Sequence, residues 1–94
     1  MDESDISKLF MRVAGNACKV PEDARRVFSI LVSSTLRYRD RLKEELAIIV
    51  TVEDVRTCLD WLLECMRTKR LPQTNNAVRL DLLKIWLDEL KPYL

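Results

Sequence analysis

The sequence predicts an all-α fold, and three features of its 94 residues favour that class. Apolar residues make up 48% of the chain and charged residues 33%, and there is one glycine. A chain rich in both apolar and charged residues and poor in glycine is typical of amphipathic helices. Apolar residues also recur three or four positions apart, which is the helical spacing. We therefore expect a single helical domain spanning residues 1–94.

The first two helices are predicted from their apolar stripes and their end signals. A short helix of about ten residues should follow Asp2 or Ser4, either of which suits an N-cap, and should end at Gly15 in a left-handed C′ conformation. The next five residues form a connector. The second helix should begin at Pro21, a good first-turn residue, and run to about Leu46 without interruption. Its first half is apolar on more than one face, which indicates contacts on several sides.

The β-branched residues 48–52 look like a strand by composition, yet they lead into a helix start. Thr51 and Asp54 match the capping box, in which each side chain bonds to the backbone of the other. Val50 and Val55 flank the box at the two positions of a hydrophobic staple. We therefore expect a short extended connector and then a third helix that begins at Thr51.

The rest of the chain should hold one loop and one more helix. The third helix is expected to end near Met66, and residues 67–76 form the only evident loop. A fourth helix should run from about Asn76 to Leu90, where Pro92 closes it.

The ionisable residues argue against several classes of function. The formal net charge is +1 and there is no histidine. Nucleic-acid binders usually carry a clear basic excess, and without histidine the usual Ser and Cys triads are excluded. A single glycine also excludes phosphate-cradling loops. We therefore expect no enzyme activity and no catalytic, cofactor-binding or metal-binding residues.

The cysteines and the hydropathy of the sequence indicate the cellular compartment in which the protein is expected. Cys18, Cys58 and Cys65 are an odd number, which argues against a disulfide framework and suits a reducing, intracellular compartment. We expect them to be small core residues. No apolar run reaches the ~18–20 residues that a membrane span needs, so no membrane partner is expected.

The order of a short helix, a long helix, a β-branched connector and a capped helix resembles the histone fold over roughly residues 4–66. The second loop of that family runs into a Thr-x-x-Asp-Val cap, matched here by Thr51, Asp54 and Val55. The stretch "VPEDARRVFSILV" is similar to the start of the family's central helix. The resemblance implies pairing with a second copy or a relative, within a chromatin, transcription or kinetochore assembly in the nucleus. The fourth helix would be a C-terminal extension.

We predict a non-catalytic interaction module that dimerises or pairs with a helical protein partner through apolar helix faces. The candidate partner-binding residues are Val27, Phe28, Ile30, Leu31, Trp61 and Trp86. Where the histone family carries basic residues before the Thr, this chain reads "AII", so the candidate nucleic-acid contacts are Lys19, Arg25 and Arg26. The alternative is a compact four-helix bundle that covers its own apolar faces and serves as an adaptor or scaffold in a cytoplasmic complex.

Overall fold

A computed structural model describes residues 3–94 and contains, within that range, four α-helices and no strand. The helices are α1 (Glu3–Ala17), α2 (Ala24–Leu46), α3 (Val52–Thr68) and α4 (Ala77–Glu89). Short 3₁₀ turns at Pro21–Asp23 and Lys91–Tyr93 precede α2 and follow α4. The prediction of an all-α fold with four helices is confirmed.

The first helix is longer than the sequence indicates. The prediction that Gly15 ends α1 is wrong, because its φ is not positive and the helix continues to Ala17. Ala14 and Ala17 are both buried, so tertiary packing extends the helix past a residue whose helix propensity is about 1 kcal/mol worse than that of alanine. Of the two candidate N-caps, Asp2 lies outside the described residues and Ser4 is already inside the helix.

The second helix follows the prediction at both ends, with a 3₁₀ turn at Pro21 and a last residue at Leu46. Ala47 then adopts the left-handed conformation, with φ 55° and ψ 30°. The Ala47 and Ile48 N–H groups both donate to the Leu42 carbonyl, the latter at 3.1 Å, so both N–H groups that follow the helix are paired. Alanine therefore takes a position that normally favours glycine, and residues 48–51 leave α2 without regular secondary structure.

The predicted capping box at the start of α3 is confirmed. The Asp54 N–H donates to Thr51 Oγ1 at 3.1 Å, and the Thr51 N–H donates to Asp54 Oδ2 at 2.9 Å. Val50 and Val55 are both buried in the core, as the staple requires. At the start of α4 the side chain of Asn76 accepts from an N–H in the first turn. Local sequence therefore sets both helix starts.

The helices surround one core in a ring, in which α1 contacts α2 and α3, and α4 closes the ring by contacting the same two helices. Trp86 of α4 is fully buried and meets the Phe10 ring edge-on, with 6.3 Å between centroids. Its indole N–H donates to Thr35 Oγ1 at 3.2 Å, and the Thr35 hydroxyl donates to the Leu31 carbonyl at 2.7 Å. The polar atom of the largest core side chain is therefore satisfied.

Polar contacts attach the first turn of α4 to the helices beside it. The Tyr38 hydroxyl donates to the Val78 carbonyl at 3.1 Å, and Arg79 Nε donates to Asp54 Oδ1 at 2.6 Å. Burial raises the pKa of Asp54, but hydrogen bonds from the Thr51 backbone and the Arg79 guanidinium outweigh it, so the pKa lies below its ordinary value of 3.8. Asp54 thus caps α3 and anchors α4 at once.

The left-handed residue after α2 generates a stability prediction. Ala47→Gly should raise the free energy of unfolding by about 0.5–1 kcal/mol, because glycine adopts positive φ without the steric cost that Cβ imposes. The matched control is Ala24→Gly at the start of α2, where φ is −54° and ψ is −42°. That variant should lose about 0.5–1 kcal/mol. Urea unfolding followed by circular dichroism measures both, and a loss of stability in Ala47→Gly would refute the prediction.

A second prediction concerns the pH dependence of Asp54. Its lowered pKa stabilises the fold above about pH 4 and ceases to do so as the pH falls through the folded-state pKa. Asp54→Asn should therefore lower the free energy of unfolding by about 1–2 kcal/mol near pH 7, because the charge-assisted hydrogen bonds are lost. Urea unfolding at pH 7 and in acid measures this. The difference from the native chain should shrink in acid. Asp60→Asn, an exposed change on the same helix, should stay within about 0.5 kcal/mol. If Asp54→Asn lowered the free energy of unfolding by the same amount at pH 7 and in acid, the prediction would be refuted.

Candidate partner-binding surface

Three of the six predicted partner-binding residues lie inside the core of this chain. Val27, Leu31 and Trp86 have 0% exposed area. Val27 and Leu31 of α2 and Trp86 of α4 all belong to the one buried core cluster that the helices share. A partner that docks on the folded surface would not contact them, so their role is corrected to internal packing.

The other three predicted residues keep some exposed surface, and two of them, Ile30 and Trp61, lie at separate clefts. Phe28, Ile30 and Trp61 are half-buried against the core. Ile30 lines a cleft between α2 and the end of α4, whereas Trp61 lines a small cleft beside Leu71 and Pro72 at the end of α3. The structure therefore separates residues that the sequence pattern grouped together.

The candidate nucleic-acid contacts Lys19, Arg25 and Arg26 are all exposed. The Arg26 guanidinium lies over the Tyr93 ring, 6.0 Å from its centroid, and the Lys19 N–H donates to the Tyr93 carbonyl at 2.8 Å. These residues thus lie where the chain enters α2 and close to the last 3₁₀ turn. DNA binding through them stays a prediction.

A different surface is formed where α1, α2 and the start of α3 meet. It is an apolar groove of about 290 Å³, which we call the connector groove. Its lining comprises Ile6, Ser7, Phe10, Val32, Thr35, Leu36, Arg39, Val50, Thr51, Val52 and Val55. Phe10, Val50 and Val55 are buried and form the floor. The floor is therefore part of the core, and the shape of the groove is fixed by the same packing that folds the chain.

Exposed apolar side chains lie in this groove, in a cleft that adjoins it and at the end of α2 that leads into the connector. Eight large hydrophobic residues are exposed among those the structure describes, and five of them lie in the groove or beside the connector. These five, which we call the connector patch, are Leu36, Leu46, Ile48, Ile49 and Val52. A second cleft, which includes Ile48 and Ile49, shares Arg39 and Val50 with the groove. Apolar residues exposed singly are ordinary, but a clustered apolar surface marks an interaction site.

The sequence carried a signal for this surface that could not be resolved. Val32 and Leu36 lie off the main stripe of α2, which made its first half apolar on more than one face. The β-branched run at 48–52 predicts only a connector. Which apolar face of α2 stays uncovered depends on where α1 lies, and no local pattern specifies that position.

The chemistry of the groove suits apolar binding. Among the residues that the structure describes, Arg39 is the one charged residue that lines it. Across residues 3–94 no group of histidine, cysteine and acidic residues could hold a metal ion. In the same range no helix is long and apolar enough to cross a membrane.

Searches of protein-family models, curated sequences and solved structures give no significant match to this chain.

The three cysteines differ in accessibility. Cys58 is fully buried, and its thiol donates to the Arg79 carbonyl at 3.2 Å. Desolvation raises its pKa to about 12, although Arg79 partly opposes the rise. Burial also raises the pKa of Cys65. Cys18 is partly exposed. The expectation that cysteines serve as core residues is confirmed for Cys58 and Cys65.

This contrast predicts a selective reaction. A thiol reagent at about pH 8 should modify Cys18 in the native protein much faster than the two buried thiols, because the thiolate is the reactive species. Absorbance of the released chromophore should count one fast thiol per native chain and three in denaturant. Cys18→Ser should remove the fast phase. A fast phase that survives in that variant would show that a buried thiol is accessible.

Proposed function

We propose that this chain is a non-catalytic helical interaction module that binds a protein partner through the connector groove. The observation that carries the proposal is that, among the described residues, four of the eight exposed large hydrophobic side chains line the connector groove or the cleft that adjoins it. Each of these side chains exposes between 37% and 64% of its area to water. Covering such area is favourable by roughly 25 cal/mol per Å², so a partner that covers the patch gains free energy that the isolated chain forgoes.

The preformed floor of the groove also supports the proposal. Phe10 is 5% exposed and packs against Trp86, the central core residue. Val50 and Val55 are held by the capped start of α3. A rigid site binds with less loss of conformational entropy than a mobile one. The groove is thus suited to recognition without rearrangement of the helices.

Two kinds of interaction module fit this proposal, and they differ in their protein partner and in their cellular compartment. In the first, the chain is a histone-fold subunit of a nuclear chromatin, transcription or kinetochore complex and pairs with a second copy or a relative. The order of a 23-residue α2, a β-branched connector and a capped α3 supports this form. In the second, the chain is a self-contained adaptor or scaffold domain in a cytoplasmic complex.

The burial of α2 favours the second form. Val27, Leu31, Tyr38 and Leu42 are all buried within this chain, so the long helix does not need a partner to cover its core face. Both forms still require a protein partner at an apolar surface, and both place that partner outside the four-helix core.

Affinity capture with a matched control tests the proposal. Leu36→Glu places a charge in the groove, whereas Leu71→Glu changes a residue of similar exposure, 49% against 43%, outside the groove lining. Proteins that bind the groove should co-purify with the native chain and with Leu71→Glu but be lost with Leu36→Glu, as mass spectrometry would show. Circular dichroism should show the same helicity in all three. Identical sets of co-purifying proteins would refute the proposal.

A further inference from the structure

We infer that the partner of the connector groove is an amphipathic helix of another protein, with a carboxylate side chain one turn beyond its apolar residues. This inference rests on the proposed function and names the chemistry of the partner. It is carried by the order of side chains along one wall of the groove and by the charge of that wall.

The wall formed by α2 is a single helical row that changes character along its length. Val32, Leu36, Arg39 and Lys43 are spaced four, three and four residues apart, which places them on one face of the helix. The first three line the connector groove, and Arg39 and Lys43 line the adjoining cleft. An occupant that lies along this row meets two apolar side chains and then two basic ones, and beside the basic pair it meets Asp40, which also lines the adjoining cleft.

The walls are helix surfaces, and this favours a helical occupant. One wall belongs to α1 and the other to α2, with the first turn of α3 at the end. A third helix packs onto two others by placing its side-chain ridge in the groove between them. Helices recognised in this way present apolar residues at i, i+3 or i+4, and i+7.

The charge of the row specifies the polar part of the partner. The ion pair that Arg39 makes is with its neighbour Asp40, at 3.3 Å, and both side chains are about half exposed. Such exposed pairs are worth roughly 0–1 kcal/mol, so the guanidinium is available to a better partner. A helix that covers the groove removes water from Arg39, and a carboxylate that accepts two of its N–H groups compensates for that loss.

A second copy of this chain does not offer the required face. Among the described residues, the exposed large hydrophobics on helices are Met11, Leu36, Leu46 and Val52. No two of these four lie three or four positions apart on one helix, so none of the described helices presents a row of strongly exposed apolar side chains. The groove therefore fits a helix of different sequence better than it fits its own copy.

Paired peptides test the inference directly. The probe is a fluorescein-labelled helical peptide with three leucines spaced four and three residues apart and a glutamate one turn beyond each end. Its twin carries lysines in place of the glutamates. Fluorescence polarisation at low salt should show the glutamate peptide binding the native chain about tenfold more tightly than the lysine peptide. Arg39→Glu should reverse that preference, Leu36→Glu should abolish binding of both peptides, and Leu71→Glu should change neither.

The results separate this inference from the proposed function. Equal affinity for the two peptides, no change of preference in Arg39→Glu, or no binding of either peptide at about 100 μM would overturn the inference. If partner capture still depended on Leu36, the proposed function would stand without it. A dimer of the native chain in sedimentation equilibrium that Leu36→Glu dissociates would also overturn the inference, because the occupant would then be a second copy.

Discussion

The burial of Trp86 against α1 and α2 is the interaction on which the rest of the structure depends. The indole is fully buried, meets Phe10 of α1 edge-on and donates its N–H to Thr35 of α2. A buried aromatic side chain contributes a large apolar area, and its one polar atom is costly unless it is paired. The Thr35 hydroxyl pairs with it, and that hydroxyl in turn donates to the Leu31 carbonyl. The position of α4 against α1 and α2 is therefore set by packing and by a directional hydrogen bond together.

Two further sets of polar contacts hold α4 in that position. Near its first turn, Tyr38 and Asp54 bond to Val78 and Arg79. At its last residue, Glu89 accepts from Ser34 and Arg37 of α2. Because both ends of α4 are attached, the apolar side of α2 that faces it is closed to partners. The apolar edge of α2 that stays open lies towards α1 and the connector, where Val32 and Leu36 line the connector groove.

The connector groove and the basic residues Arg39 and Lys43 form a surface whose two ends differ in charge. Its floor is core, its walls are helices, and its charge lies at one end, near the turn where Ala47 adopts positive φ. The groove combines exposed apolar side chains with a guanidinium at its edge. The proposal of an interaction module and the inference of an acidic amphipathic helix both follow from that geometry.

Local sequence by itself determined the helices and most of their ends. Pro21, the Thr51–Asp54 capping box and Asn76 act within one turn of chain, so their effect can be read from neighbouring residues alone. The end of α1 was not predictable, since Gly15 is a good stop signal that the burial of Ala17 overrides. The binding surface could not be predicted either, because it too depends on tertiary packing. Val27, Leu31 and Trp86 are as apolar as Leu36 and Ile49, but the first three are covered and the last two are exposed. Hydrophobicity dictates that a side chain be covered, whereas the tertiary arrangement of the helices decides whether this chain or a partner covers it.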